Sequence, residues 1–408
     1  ARLAAAGYEV LFDSDRTDAK VVVINTCGFI GDAKQESVDM ILRAAAAKNA
    51  GKIERLFVIG CLSERYADSL RAELPEVDGF FGARTWDGIA RALGASEDPA
   101  LATERHLSTP SHYAYLKISE GCNWKCGYCA IPLIRGGHVS VPMEELEEEA
   151  RKLAAGGVKE LIVIAQDITR YGTDLNGEHQ LARLLRELCK LDFTWIRLHY
   201  LYPDQITDEL IDTIAQEKKI VHYLDIPIQH CNDGILKAMR RRNTRAELED
   251  LFARLRRAIP DLVVRTSLIC GLPGEGEAEF EELCQFLREQ KLQRVGVFQF
   301  SPEEGTLAAA MEDQVDPETA ARRVELVVEL QSRVMDAFNG ERLGECLEVL
   351  CEGFDAEMGC YVGRTYADSP DVDGKVYFTA GGLVPAGAFV WVRITGTSDG
   401  DLTGEIEE

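Results

Sequence analysis

The sequence predicts an α/β multidomain chain with an N-terminal α/β domain, a partial (β/α)6 barrel and a small C-terminal antiparallel β-barrel. Three observations predict it. At 408 residues the chain is longer than one compact core usually holds. Strand-length apolar runs alternate with amphipathic helical stretches over most of its length. From about residue 341 the pattern changes to residue-by-residue alternation between glycine turns, the mark of short antiparallel strands.

In the first region, residues 1–95, Val21–Asn25 and Leu56–Gly60 read as buried strands. They alternate with helical stretches at Ala33–Lys48 and Glu64–Leu74. Ala1 to Gly7 reads as the tail of an amphipathic helix, so a strand and half a helix are expected upstream of it. Gly94 to Pro110, rich in Gly, Ser, Asp, Pro and Thr, has the character of a linker.

The second region, 111–340, opens with six strand candidates: Ala114–Ile118, Glu160–Ala165, Trp195–Leu198, Tyr223–Ile226, Leu262–Leu268 and Arg294–Phe298. Helical patterns lie between them, among them Glu144–Ala154, Gln180–Cys189, Asp208–Gln216 and Glu277–Gln290. Strand and helix alternating six times imply a parallel sheet with right-handed crossovers. In such a curled sheet the functional loops gather at the C-terminal strand ends. A long helix, Pro317 to Asn339, leads into the third region, 341–408. Its hydrophobic alternation is clearest from Cys346, Lys375 and Phe389 onward. Fourteen acidic residues against four basic ones give this region a net charge of −10.

The bulk composition narrows the function classes. A 46% hydrophobic fraction is ordinary for soluble proteins. The longest apolar runs, such as Val21 to Ile24, fall far short of the roughly 20 residues a spanning helix needs. No basic, apolar, small-residue leader opens the chain, so a cytoplasmic protein without a membrane partner is expected. In that setting twelve cysteines point to metal or redox chemistry more than to disulfides. A net charge of −24 either solubilises the chain or selects basic protein partners, and it repels phosphate backbones.

The decisive stretch is Gly121-Cys122-Asn123-Trp124-Lys125-Cys126-Gly127-Tyr128-Cys129. Its C-x3-C-x2-C triplet directly follows the first barrel strand and so lies on a loop at that strand's C-terminal end. Three thiolates hold a four-iron cubane and leave the fourth iron open. That vacancy suits chelation of the amino and carboxylate groups of S-adenosylmethionine, whose reductive cleavage yields an adenosyl radical. The competing reading is zinc, which closes with four ligands, usually in paired C-x2-4-C units. No second pair accompanies the triplet, and His138 and Cys189 lie at unhelpful spacing.

The segment from Tyr113 to Pro142 resembles the methylthiotransferases of the radical S-adenosylmethionine superfamily, and the resemblance extends over essentially the whole chain. It implies an N-terminal domain with a second 4Fe-4S cluster, a radical-SAM partial barrel, and a terminal β-barrel of the TRAM type. The family's N-terminal cluster uses three cysteines on separate loops, two of which match Cys27 and Cys61 here. Cys27 follows one strand in Asn25-Thr26-Cys27-Gly28-Phe29-Ile30, and Cys61 follows another after Ile59-Gly60. On their own, two isolated cysteines read as buried apolar residues; the resemblance makes them ligands. The family's first ligand belongs to a strand upstream of Gly7, so the sequence reads as an N-terminally shortened fragment.

The cofactor's nucleoside and methionine are expected against the barrel loops. The family pattern puts an aromatic beside the last cluster ligand, here Tyr128. Polar residues closing the strands supply the other candidates. Gln166 and Asp167 follow the second strand, Arg197 and His199 end the third, and Gln229 and His230 follow the fourth. Arg265 and the turn Gly271-Leu272-Pro273-Gly274-Glu275 complete the fifth, where glycine lets backbone approach the nucleoside. Of the remaining cysteines only Cys231 and Cys270 lie near active loops.

The resemblance further implies insertion of a methylthio group into an unactivated C–H bond, with reduction by an electron donor such as flavodoxin. One branch of the family modifies isopentenyl-adenosine in tRNA, and the other an aspartate β-carbon of a small-subunit ribosomal protein. The run from Asn25 through Ser37 and the stretch His199-Tyr200-Leu201-Tyr202-Pro203 are similar to the protein-modifying branch. An acidic terminal barrel also suits a basic ribosomal protein, whereas tRNA binding calls for basic residues. A third reading is a non-catalytic iron–sulfur protein that docks on ribosomes through that barrel.

Overall fold

The computed structural model describes residues 2–13, 18–28, 30–85, 88–95 and 105–407. Phe29 and most of the expected linker lie outside the described residues. The chain packs as two compact units. One joins residues 1–108 with two insertions, 120–139 and 301–310; the other comprises 109–119, 140–300 and 311–408. No described helix is long and apolar enough to cross a membrane.

In the first unit β1 (Val21–Thr26), β2 (Arg55–Gly60) and β3 (Gly79–Gly82) form a parallel sheet in that order. Helices Gly31–Asn49 and Cys61–Glu73 cross over between them. Ile24, Ile41, Leu56, Val58, Leu62, Leu74 and Phe80 make the core. The sequence pattern did not announce β3, because Gly-Phe-Phe-Gly is too short for alternation to register.

In the second unit β4 (Tyr113–Lys117), β5 (Glu160–Ile164), β6 (Trp195–Leu198), β7 (Ile220–Asp225), β8 (Val263–Cys270) and β9 (Arg294–Gln299) pair in chain order. Every pairing is parallel, as the six-fold alternation requires. Covered on both faces, β5 and β6 are near-continuously buried. Two of the connecting helices begin on threonine caps: Thr207 accepts from the Leu210 N–H, and Thr244 with Glu247 makes a reciprocal capping box.

After the helix Pro317–Gly340, β10 (Cys346–Asp355), β11 (Cys360–Arg364), β12 (Val376–Thr379), β13 (Phe389–Ser398) and β14 (Asp401–Ile406) close into a barrel of order β10-β11-β12-β14-β13. It is not wholly antiparallel: β12 and β14 run parallel. Five strands cannot close with strict alternation, so one parallel pair is unavoidable.

This small barrel is fastened to the N-terminal ends of the larger sheet. Trp195, Val221 and Val263, at or next to the starts of their strands, share a core with Tyr223, Leu350 and Ala367. The segment after β11 adds polar ties. Arg364 Nη2 bonds Glu160 Oε2 at 2.7 Å, Arg294 Nη2 bonds Asp368 Oδ1 at 2.6 Å, and the Tyr223 hydroxyl donates to Asp373 Oδ2 at 2.6 Å.

Candidate functional site

The triplet loop belongs to the first unit. Its backbone is tied at intervals: the Cys122 N–H donates to the Gly136 carbonyl at 3.0 Å, and the Ala308 N–H to the Gly127 carbonyl at 2.8 Å. The Cys129 N–H closes a turn on the Cys126 carbonyl at 3.1 Å, directly before the helix Ile131–Arg135. Asn123 Oδ1 accepts from the His138 N–H at 3.0 Å. Cys122, Cys126 and Cys129 are half-buried. Among the described residues no three His, Cys, Asp or Glu side chains are gathered as a metal-binding group. The thiols must therefore turn toward a common centre to bind one. In kind the donors fit an iron–sulfur cluster: three cysteines in C-x3-C-x2-C spacing on one tethered loop, without the second C-x2-4-C pair that closes a structural zinc tetrahedron.

Cys27 and Cys61 are brought together in the same unit. Thr26 pairs with Gly60 across β1 and β2, so the two cysteines leave neighbouring strands at the same edge. Gly28 lets the loops meet. A Cβ there would lie 2.6 Å from Leu62 N and 2.7 Å from the Cys61 carbonyl carbon, closer than side chains tolerate. Buried Ser37 holds the Cys27 backbone, accepting from its N–H at 3.0 Å, while its one hydroxyl proton is shared between the Ala33 carbonyl at 2.8 Å and the Cys27 carbonyl at 3.3 Å. Cys27 is exposed. Cys61 packs against Ala83, Ala130 and Ile134 and receives Arg135 Nη2 at 3.4 Å. Arg135 also pairs with Glu120 at 3.3 Å, placing a cation beside the thiol. Sequence reasoning missed Arg135 because an arginine six residues past a cluster motif carries no signal of its own.

In the second unit several of the expected cofactor contacts are engaged by other residues of the chain. Arg197 is fully buried, its Nε 2.6 Å from Glu160 and its Nη1 2.8 Å from the Tyr366 carbonyl, so it braces the base of the sheet. His199 is buried against Ser369, 3.0 Å from its hydroxyl. Arg265 bonds Asp225 at 2.8 Å. Burial pushes the Asp225 carboxyl up, but His199 and Arg265 outweigh it and hold it below the usual range. Asp167 is buried and shapes its own loop, accepting from the N–H of Thr169 at 2.9 Å and from its hydroxyl. Gly271 has φ +82°, and a Cβ there would strike the Cβ of Ala320 on the long helix. Its glycine thus serves helix packing, and its N–H donates to Glu275 at 3.0 Å.

Three candidates keep access. Tyr128 and Gln166 are half-buried on their loops. Gln229 is half-buried in a left-handed conformation, φ +70°, held because its backbone bridges to β8. His230 beside it is sealed in: burial, with the Arg323 charge, pulls its imidazole down to about 3 and keeps it neutral. Cys231 and Cys270 are fully buried core thiols, and burial pushes Cys270 up to about 12.

Three family models match in order: uncharacterized protein family UPF0004 over residues 1–82, the radical SAM superfamily over 116–287, and the TRAM domain over 343–406. Among solved structures, a radical S-adenosylmethionine methyltransferase, TsrM, from Kitasatospora setae shares the fold. Its TM-score is 0.53 at 14% identity, over 72% of this chain and 66% of that one. The chain is 44% identical to ribosomal protein uS12 methylthiotransferase RimO of Lachnoclostridium phytofermentans, over 98% of this chain and 94% of that protein. The RimO proteins of Bacteroides fragilis and Pelobacter propionicus give 43% and 45%, over 99% and 100% of this chain and 94% and 93% of theirs. Likeness of this degree, sustained from end to end, shows that the chain belongs to the RimO family of radical S-adenosylmethionine methylthiotransferases.

Proposed function

We propose that the chain attaches a methylthio group to the β-carbon of an aspartate in the basic ribosomal protein uS12, using two 4Fe-4S clusters and S-adenosylmethionine. The observation that carries this reading is the tethered Cys122–Cys129 loop at the end of the first barrel strand, in a chain aligned end to end with uS12-modifying enzymes.

Cys122, Cys126 and Cys129 hold one cluster and leave an iron for S-adenosylmethionine; Cys27 and Cys61 give two thiolates to the other. When bound, these groups supply a radical able to remove a hydrogen atom from an unactivated carbon, and the sulfur that replaces it. The chain's own residues prepare the site. Arg135 keeps a cation beside the Cys61 sulfur, and Tyr128, next in sequence to the last ligand of the triplet, is the aromatic against which the nucleoside packs. Gln166 and Gln229 offer amides to polar atoms of the nucleoside.

The functional divisions are 1–95 for the second cluster, 111–340 for radical chemistry and 341–408 for substrate capture. The −10 charge of the last attracts a basic protein and repels tRNA. An electron donor such as flavodoxin, in the cytoplasm, completes the system. The test is anaerobic reduction of the iron-loaded protein with S-adenosylmethionine, alone and with either substrate. Formation of 5′-deoxyadenosine and a methylthio increment on uS12 support the reading. Absence of 5′-deoxyadenosine removes the catalytic claim, and an increment on isopentenyl-adenosine tRNA reassigns the branch.

A further inference from the structure

The segment that follows β9, Ser301-Pro302-Glu303-Glu304-Gly305-Thr306-Leu307-Ala308-Ala309-Ala310, packs in the first unit together with both sets of cysteines. Glu303 is only 2% exposed, and its carboxylate is a hub. Oε2 receives Lys34 Nζ at 2.7 Å and Arg65 Nη1 at 3.0 Å, and Oε1 receives the Ser301 hydroxyl at 3.0 Å. Each cation comes from a helix that begins at or shortly after a candidate ligand. Lys34 lies in the first turn of the helix entered from the Cys27 loop, and Arg65 lies one turn after Cys61 in the helix that Cys61 begins.

Arg65 does more than neutralise the carboxylate. Its Nη1 donates to the Gly28 carbonyl at 3.0 Å, next to Cys27, and its Nη2 to the Glu304 carbonyl at 2.7 Å. Five residues past Glu303, the Ala308 N–H holds the Gly127 carbonyl between Cys126 and Cys129 at 2.8 Å. The segment is kept rigid in between by Thr306, whose N–H and hydroxyl both donate to the Glu303 carbonyl, at 3.1 and 2.7 Å. One short stretch of chain therefore grips both cysteine loops, and the charge at its centre ties it to the Cys27 and Cys61 elements.

We propose that Glu303 is a positioning residue that registers the Cys27 and Cys61 loops against the Cys122–Cys129 loop, and so governs transfer of the methylthio group rather than formation of the radical. The proposal rests on the reading that Cys27 and Cys61 ligate the second cluster. Two guanidinium or ammonium groups drawn to one buried carboxylate form a geometry that neutral packing does not reproduce. Loss of the anion leaves both cations facing a neutral group and releases the Gly28 contact that Arg65 maintains.

The test compares the parent full-length, iron-loaded protein with Glu303→Gln and Glu303→Asp. Two readouts are taken under anaerobic reduction: the ratio of methylthiolated uS12 peptide to 5′-deoxyadenosine, and the electron paramagnetic resonance spectra of the two clusters. In Glu303→Gln, 5′-deoxyadenosine formation should stay within about 2-fold of the parent while the ratio falls on the order of 10-fold, a loss of one well-placed charged contact. The second-cluster signal should shift and the triplet-cluster signal stay in place. Glu303→Asp, which keeps the charge, should recover part of the ratio. An unchanged ratio with unchanged spectra overturns the proposal, and so does a parallel loss of both products, which marks mere destabilisation. A parent protein that shows no second-cluster signal and no methylthio product overturns the underlying reading instead, and the proposal with it.

Discussion

Replacing Glu160 by glutamine should loosen the junction between the large sheet and the C-terminal barrel by a predictable amount. The Glu160 side chain has no exposed surface and lies 2.6 Å from Arg197 Nε and 2.7 Å from Arg364 Nη2. Burial pushes its carboxyl up, but the two guanidiniums outweigh that effect and hold it at about 2. A fall from the ordinary 4.5 to about 2 corresponds to roughly 3 kcal/mol of stability near neutral pH. Leaving two buried guanidiniums without their anion costs about 3–5 kcal/mol by the independent route of broken buried ion pairs. Because the carboxyl is depressed in the folded chain, its contribution is complete above about 4.5 and disappears as the pH falls toward about 2. Urea unfolding followed by tryptophan fluorescence reads this directly, since Trp195 stacks edge-on with Phe389 at that junction. Parent and Glu160→Gln should differ by about 3 kcal/mol near neutral pH and converge in acid. A difference below about 1 kcal/mol, the size of an exposed pair, would refute the reasoning.

Cys126→Ala should reduce 5′-deoxyadenosine formation to background in a reduced, iron-loaded preparation, because it removes the central ligand of the triplet that holds the radical-generating cluster; chromatography of the quenched reaction checks it. Gly28→Ala should push the Cys27 loop off Cys61, and iron analysis should then find roughly half of the parent's iron per chain, with the triplet cluster intact. Gly271→Ala should lower stability by about 1–3 kcal/mol through its left-handed backbone and the clash with Ala320. If Gly271 only packs the helix, the apparent KM for S-adenosylmethionine stays at the parent value; a large rise would return it to the nucleotide site.

Much of this architecture is legible in the residues because local pattern and tertiary environment agree. Parallel strands buried on both faces must be apolar runs, and Leu161–Ile164 is such a run within the strand expected at Glu160–Ala165. Helices Asp208–Gln216 and Glu277–Gln290 begin and end as read; Thr207 caps the first through its side chain, and Glu279 reaches back to the Gly276 N–H at the start of the second. The cysteine triplet is legible because its spacing is itself the chemistry.

What the residues conceal is direction. Arg197 and Asp167 sit at strand ends, where polar side chains suggest ligands, yet a polar group there has two places to go. Arg197 turns to Glu160 at the opposite end of the sheet, a partner set by packing against a segment more than 160 residues later. Glu303 and Arg135 were invisible for the complementary reason. Each matters only through contacts between segments far apart in sequence, and neither stands in a recognisable spacing.

The most direct measurement of the central claim is tandem mass spectrometry of a uS12 peptide after reaction with the reduced, iron-loaded protein and S-adenosylmethionine carrying a deuterated methyl group. One labelled methylthio group on the aspartate β-carbon is the predicted result. Formation of 5′-deoxyadenosine with the label absent from uS12 and present on tRNA adenosine would contradict it.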